Sequence, residues 1–227
     1  MKIRQPVSGY RFSMDTVILA RLAELRPHDR VLDLGTGCGV IALILAGRQP
    51  DITVFGVEIQ KSQVEIAVQN VRENLLEDRV IICHQDIKTL SPDQTSGPVD
   101  LVVCNPPHTP AACGRINPES PIAISRHEIN ITIDGIIQAA RRMLCPAGRL
   151  FMVFPAKRMA ELMEHMRQNG IEPKKMTVVY TRAAGSAKRI LVAGVKGGRP
   201  GITITEPLVI HGPDGAYTET ARRILTP

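Results

Sequence analysis

The sequence predicts an α/β fold: a doubly wound, seven-stranded, mostly parallel sheet whose last strand runs antiparallel. Three observations carry that expectation. Short β-branched runs alternate with helical stretches from Arg30 to Lys196, the pattern of βαβ units. A glycine-rich turn, "LGTGCG" (Leu34–Gly39), follows the first run. The last two runs are joined only by "RAAGSA" (Arg182–Ala187), too short for a crossover helix and suited to an antiparallel hairpin.

The elements follow in order. "RVLDLG" (Arg30–Gly35) reads as the first strand, and "VIALILAGR" (Val40–Arg48) as a helix buried on most faces. "TVFGVE" (Thr53–Glu58) is the second strand. In "KSQVEIAVQNVRENLL" (Lys61–Leu76), Val64, Ala67, Val68, Val71 and Leu75 recur at the spacing of a half-buried helix. "RVIICHQD" (Arg79–Asp86) and "VDLVVC" (Val99–Cys104) are strands three and four. "NITIDGIIQAARRML" (Asn130–Leu144) is a helix, "GRLFMVFP" (Gly148–Pro155) a strand, and "KRMAELMEHMRQNG" (Lys157–Gly170) a helix ended by its glycine. "KKMTVVYT" (Lys174–Thr181) and "KRILVAGVK" (Lys188–Lys196) complete the seven strands. The least regular stretch, Thr109–Arg126, is rich in Pro, Ala and Ser; such long loops are functional or disordered.

With 227 residues, 44% of them hydrophobic, the chain can bury a full core as one domain. No stretch approaches the roughly 18–20 uncharged apolar residues of a membrane span. "MKIRQPVSGYRFS" lacks the apolar centre of an export signal, so a cytoplasmic protein without a membrane partner is expected. Five scattered cysteines, never in C-x-x-C spacing, speak against a disulfide framework and a metal site. Residues 1–113 carry 11 Lys and Arg against 13 Asp and Glu, whereas residues 114–227 carry 17 against 9. The basic second half reads as a footprint for nucleic acid, or as dispersed solvated side chains.

In sheets of this kind ligands bind at the carboxyl ends of the strands. Gly35, Gly37 and Gly39 let the backbone turn tightly and approach a ligand closely. Asp33 precedes them, and Glu58 ends the second strand. A carboxylate at Glu58 can accept both ribose hydroxyls of an adenosine. The glycines run G-x-G-x-G, and Asp33 would repel a pyrophosphate. Asp33 favours a cationic ligand end instead, such as the sulfonium and ammonium of S-adenosylmethionine. Asp86, at the end of strand three, can accept from the adenine amino group with Ile87 beside the ring. Each acid alone also reads as a cap or turn residue.

This succession of motifs resembles the class I S-adenosylmethionine-dependent methyltransferases, a Rossmann-like fold, over roughly Arg30–Val195. The resemblance implies S-adenosyl-L-methionine as cofactor and S-adenosyl-L-homocysteine as product. It places Asp33, Gly35, Thr36, Gly37 and Gly39 at the methionine moiety, Glu58 and Ile59 at the ribose, and Asp86 and Ile87 at the adenine, with Asn105 also among the cofactor contacts. A fourth strand ending in Asn105-Pro106-Pro107 and then His108 resembles the branch that methylates planar nitrogens: adenine N6, guanine N2 or a glutamine amide. Such a nitrogen is a poor nucleophile because its lone pair is delocalised. The Asn105 side-chain oxygen and the Pro106 carbonyl can each accept one amino hydrogen and so aim the lone pair. The prolines stiffen the turn. His108 stands where that branch usually stacks a larger aromatic on its target, and imidazole can stack on a base too. A plain strand-terminating turn is the alternative.

The flanks narrow the substrate. "GYRFSMDTVILARLA" (Gly9–Ala23), "SRHEINITIDGIIQAARRMLCPAGRLFMVFP" (Ser125–Pro155) and the tail Lys196–Leu225 resemble the tRNA adenine-N6 methyltransferases. That group implies RNA, tRNA in particular, as partner, with no metal. It also implies residues 1–29 over the cofactor, 30–197 as the catalytic core and 198–227 as a tail. Arg11, Ser13 and Asp15 become candidates near the methionine end, although Ser13 also reads as a helix N-cap. Arg126 and His127 are candidate substrate contacts, or simply a helix entry. Lys157, Arg158, Lys174, Lys175, Arg182, Lys188 and Arg189 are candidate phosphate contacts, or solvated side chains. Protein glutamine-N5 methylation and ribosomal guanine-N2 methylation stand as alternatives. Three Tyr, four Phe and no Trp argue against a platform for several stacked bases.

Overall fold

The computed structural model describes residues 1–6, 12–106 and 132–226. Its elements begin with α1 (Met14–Leu22), β1 (Arg30–Leu34), α2 (Val40–Arg48), β2 (Thr53–Glu58), α3 (Lys61–Glu73), β3 (Val80–His84) and β4 (Val99–Cys104). They continue with α4 (Ile133–Met143), β5 (Leu144–Pro155), α5 (Met159–Gln168), β6 (Ile171–Arg182) and β7 (Arg189–Lys196). The tail contributes β8 (Thr203–Ile204), β9 (Leu208–His211) and α6 (Glu219–Leu225).

The strands form one sheet in the order β3-β2-β1-β4-β5-β7-β6-β8, with β9 also against β6. β1 to β5 pair in parallel, and β7 runs antiparallel between β5 and β6. The reversed last core strand expected from the short linker is therefore present. Reversing β7 returns β6 to the direction of β1–β5, and β8 and β9 run parallel to it. These two strands go beyond the seven expected. With two and four residues among glycines and prolines, they are too short to stand out as periodic runs. They cover what would otherwise be the open edge of β6.

Several boundaries also differ from expectation, among them those of β6, which begins at Ile171 instead of Lys174, and of β5 and α3. β5 starts at Leu144, because "CPAG" joins the ladder through an irregularity between Val99 and Leu101, with Ala147 at φ 59°. α3 stops at Glu73, because Leu75 adopts φ 57° and is 83% exposed.

The sheet is covered on both faces. Val40 to Ala46 of α2 are all buried, which explains a helix apolar on nearly every side: it lies between the sheet and α1. On the other face α4 and α5 place Ile136, Ile137, Leu162 and Met166 against Leu32, Val102, Leu150 and Val192. The register then positions the site. Leu34 lies opposite both Val57 and Cys104, and Glu58 lies opposite His84. Gly35, Glu58 and Asn105 consequently leave the sheet side by side at its carboxyl edge.

Candidate active site

The glycine loop is set by backbone geometry. Gly35, Gly37 and Gly39 have φ of 73°, 55° and 85°, where any other residue would be strained. A Cβ on Gly35 or Gly37 would meet nothing within 4 Å, so the space above the loop is open. Gly35 and Thr36 both donate their backbone N–H to the Val57 carbonyl, at 2.9 and 3.0 Å, which ties the loop to β2.

Below the loop, Asp33 is fully buried. Its Oδ2 accepts from Thr36 Oγ1 at 2.6 Å, and its Oδ1 has no partner. Burial pushes the carboxyl up to about 7; the Thr36 hydroxyl and, less strongly, the Ala42 backbone N–H oppose this, and the Glu58 charge adds to it. Gly56, across from Asp33 on β2, makes this arrangement possible. A Cβ there would come within 2.9 Å of Thr36 Oγ1 and 2.8 Å of Ile82 Cδ1.

Glu58 is also buried, and burial raises its pKa against the pull of backbone N–H groups. Its Oε2 accepts from Gly37 N at 3.0 Å and its Oε1 from Gln60 N at 2.9 Å, so the acid holds the loop and the start of α3 together. The Ile59 carbonyl accepts from His84 Nε2 at 2.9 Å. Asp86 folds its Oδ1 back onto the Lys88 N–H at 2.8 Å. The segment carrying Asp86 and Ile87 is pinned from α4. Arg142 donates from Nε to the Leu90 carbonyl at 2.6 Å and from Nη2 to the Ile87 carbonyl at 2.9 Å.

At the end of β4, Asn105 donates from Nδ2 to Thr16 Oγ1 on α1 at 2.9 Å. Thr16 is buried, and this bond fixes which way the amide faces. Asn105 Oδ1 is shielded from solvent and has no hydrogen-bond partner among the described residues. Ser13 occupies the N-cap position of α1, but its side chain makes no cap bond and its Oγ too is shielded and unpartnered. Asp15 Oδ2 accepts from Arg189 Nε of β7 at 2.8 Å.

The first six residues are fastened to α3 by two asparagines one turn apart. Asn70 accepts from Arg4 N at 2.7 Å and donates to Arg4 O at 3.0 Å. Asn74 treats Lys2 in the same way, at 2.9 and 2.7 Å. Asn70 also donates to the Cys38 carbonyl of the glycine loop at 2.8 Å.

The structure thus brings Asp33, Thr36, the three glycines, Glu58, Ile59, Asn105, Pro106 and Ser13 to one end of the sheet, with Asp86 and Ile87 at its β3 side. Arg11, Pro107, His108, Arg126 and His127 lie outside the described residues. Thr16, Gly56, Asn70 and Arg142 were not singled out from the sequence. Thr16 had a signal, a lone hydroxyl among the buried Ile18, Leu19 and Ala20 of α1. The other three act through contacts distant in the chain, which no local pattern carries.

Buried oxygens without partners are rare, because each forfeits hydrogen bonds to water. Ser13 Oγ, Asp33 Oδ1 and Asn105 Oδ1 are three such oxygens among the described residues, at the start of α1, near the end of β1 and just after β4. These acceptors suit a ligand with a cationic, hydrogen-bonding end near Asp33 and Ser13, and an N–H donor facing Asn105. S-adenosylmethionine offers the first and an amino substrate the second. Among the described residues no group of three His, Cys, Asp or Glu is placed to hold a metal ion. No described helix is long and apolar enough to cross a membrane.

Known proteins share this architecture. A predicted O-methyltransferase from Agrobacterium tumefaciens superimposes with a TM-score of 0.75 at 20% identity, covering 92% of this chain and 94% of that one. TrmN from Thermus thermophilus superimposes with a TM-score of 0.57 at 23% identity, covering 79% and 48%. In sequence, the tRNA1(Val) (adenine(37)-N6)-methyltransferase of Porphyromonas gingivalis is 31% identical, covering 99% of this chain and 91% of its own. That of Aeromonas hydrophila is 30% identical, covering 94% and 87%. The family model for the methyltransferase small domain matches residues 12–176, from the start of α1 into β6. The fold, the strand-end acids and this match agree: the chain belongs to the methyltransferase small domain family.

Proposed function

We propose that this chain transfers a methyl group from S-adenosylmethionine to the N6 amino nitrogen of an adenine in tRNA. The observation that carries the reading is the Asn105 amide. Its N–H is committed to Thr16, leaving a solvent-shielded oxygen without a partner beside the Asp33 and glycine-loop site. The names carried by relatives at 30–31% identity supply the substrate. On this reading residues 30–197 are the catalytic core, residues 1–29 border the cofactor and residues 198–227 complete the substrate side.

Asp33, Ser13 and the glycine loop would hold the methionine end, Glu58 the ribose, and Asp86 with Ile87 the adenine. When bound, the cofactor supplies an electrophilic methyl group on a sulfonium centre. Asn105 Oδ1 and the Pro106 carbonyl accept the two amino hydrogens of the target. That draws the nitrogen out of conjugation, aims its lone pair and stabilises the positive charge that develops on it. No strong base is needed, because the nitrogen becomes acidic once it is cationic. Glu58 would accept from the ribose hydroxyls on the lone pairs that its bonds to Gly37 N and Gln60 N leave free.

The test is mass spectrometry of nucleosides from unmodified tRNA incubated with the enzyme and S-adenosylmethionine. N6-methyladenosine is the expected product. Label appearing in guanosine or in a protein glutamine, with none in adenosine, would overturn the reading.

A further inference from the structure

Five of the seven basic residues singled out in the sequence fall into two groups in the fold, while Lys157 and Arg158 follow β5, where Arg158 pairs with Glu161. Lys174 and Lys175 start β6 at the amino edge of the parallel strands. There Lys175 pairs with Glu24 at 2.6 Å and Lys174 donates to the Arg199 carbonyl at 3.0 Å. Arg182 ends β6, and Lys188 and Arg189 begin the reversed β7, so these three lie at the carboxyl edge with Asn105.

The tail brings aromatic surface to the same place. His211 ends β9 opposite Arg182, again at the carboxyl edge. The Tyr217 ring stacks on His211, with centroids 5.0 Å apart and planes within 20°. His211 is held by its Nδ1, which donates to the Gly215 carbonyl at 3.1 Å, and Tyr217 remains 42% exposed. In a chain with three Tyr and no Trp, a pinned ring carrying an exposed one is an unusual use of aromatic surface.

The charge around the pair is available. A Cβ on Gly215, in the turn that carries Tyr217, would lie 3.8 Å from Arg182 Nη2, so the guanidinium sits beside the stack. Arg182 is exposed, and neither it nor the Lys188 ammonium has an ion pair among the described residues. Of the nearby acids, Asp15 pairs with Arg189, and Asp214 Oδ1 accepts only from the neutral Ala216 N–H at 3.0 Å. A cleft of about 320 Å³, lined by Ile18, Val179, Lys188 and Ile210 among others, separates this corner from α1, whose Thr16 holds Asn105.

We infer that the β6–β9 corner is an RNA-docking surface, with Tyr217 on His211 as a stacking platform for one unpaired base and Arg182 and Lys188 holding the phosphates beside it. The inference rests on the reading that the substrate is RNA. An aromatic face takes any base, and free guanidinium and ammonium groups suit a phosphate backbone. A protein partner of acidic, aromatic character is the competing occupant.

Fluorescence anisotropy of the full chain with an unmodified tRNA transcript, in saturating S-adenosylhomocysteine, tests it. Tyr217→Ala is expected to weaken RNA binding about 5- to 100-fold with little change in salt dependence. Tyr217→Trp should keep affinity and Tyr217→Leu should not, a split that a merely structural role would not produce. Arg182→Gln should weaken binding about 3- to 10-fold and lower the slope of log affinity against log salt by about 0.7–0.9. Cofactor affinity should be the same in every variant. RNA affinity within twofold of wild type in both Arg182→Gln and Tyr217→Leu would overturn the surface, and Arg182→Gln decides it if the Tyr217 variants fail to fold. A wild type that methylates tRNA while both variants bind normally sinks only this surface. A wild type that neither binds nor methylates tRNA sinks the functional reading, and this inference with it.

Discussion

Asp33 has no access to solvent, one oxygen on Thr36 and the other without a partner. An ionised carboxylate in that position is costly, which is why its pKa rises to about 7. The sign follows. The unfolded group titrates near 3.8 and the folded one near 7. The ligand-free protein therefore holds more protons in that window, and Asp33 subtracts stability as pH rises through it. A cationic ligand end reverses the preference and draws the proton off. Affinity for S-adenosylmethionine should therefore fall by up to about tenfold per unit as pH drops below 7. Calorimetry at pH 6.5 in buffers of different ionisation enthalpy should register proton release on binding. Asp33→Asn should abolish that release, weaken cofactor binding and raise the melting temperature of the ligand-free protein at pH 8. Proton release unchanged in Asp33→Asn would remove Asp33 from the cofactor site. The acid and its glycine neighbours were legible in the sequence because they follow one another along a single strand end. Gly56 was not, because what it makes room for is Thr36, on another strand's loop.

At the scale of elements, α1 connects the two halves of the site. Its buried face packs Ile18, Leu19 and Ala20 into the core shared with α2, and Thr16 reaches from that face to Asn105. A helix so anchored holds the amide more firmly than the turn after β4 could alone. Thr16→Val keeps shape and removes the acceptor, leaving Asn105 Nδ2 unpaired and free to swing. Turnover should drop about tenfold, the worth of one buried hydrogen bond, with cofactor affinity intact. Thr16→Ser should restore most of the rate, and equal rates in the Val and Ser variants would show that α1 does not set the amide. The sequence marked the N-terminal segment as lying near the cofactor and named Arg11, Ser13 and Asp15 in it. Thr16 escaped notice because its partner is 89 positions away. The helix and strand order was readable from Arg30 to Lys196, since periodicity is local, whereas β8, β9 and α6 of the tail were not anticipated. The ends of β5 and α3 were not, because a bulge and a positive φ at Leu75 set them.

The whole molecule divides its carboxyl edge between two tasks. The β3-β2-β1-β4 side carries the acids and glycines, and the β5-β7-β6-β9 side carries the free cations and the His211–Tyr217 pair. The reversal of β7 creates this division by returning its start to the edge where β6 and β9 end. Counting charges showed a basic second half but could not say that Lys174 and Lys175 end up across the sheet from Arg182 and Lys188. Asn105 stands where the two sides meet, and the central claim is that its oxygen directs the target nitrogen without helping to hold the cofactor. The most direct test is Asn105→Ala in single-turnover methylation of tRNA, beside calorimetry of S-adenosylmethionine binding. The rate should fall at least about a hundredfold, as when a positioned transition-state acceptor is lost, with cofactor affinity within about twofold of wild type. An unchanged rate, or a rate lost only because the cofactor no longer binds, would contradict it.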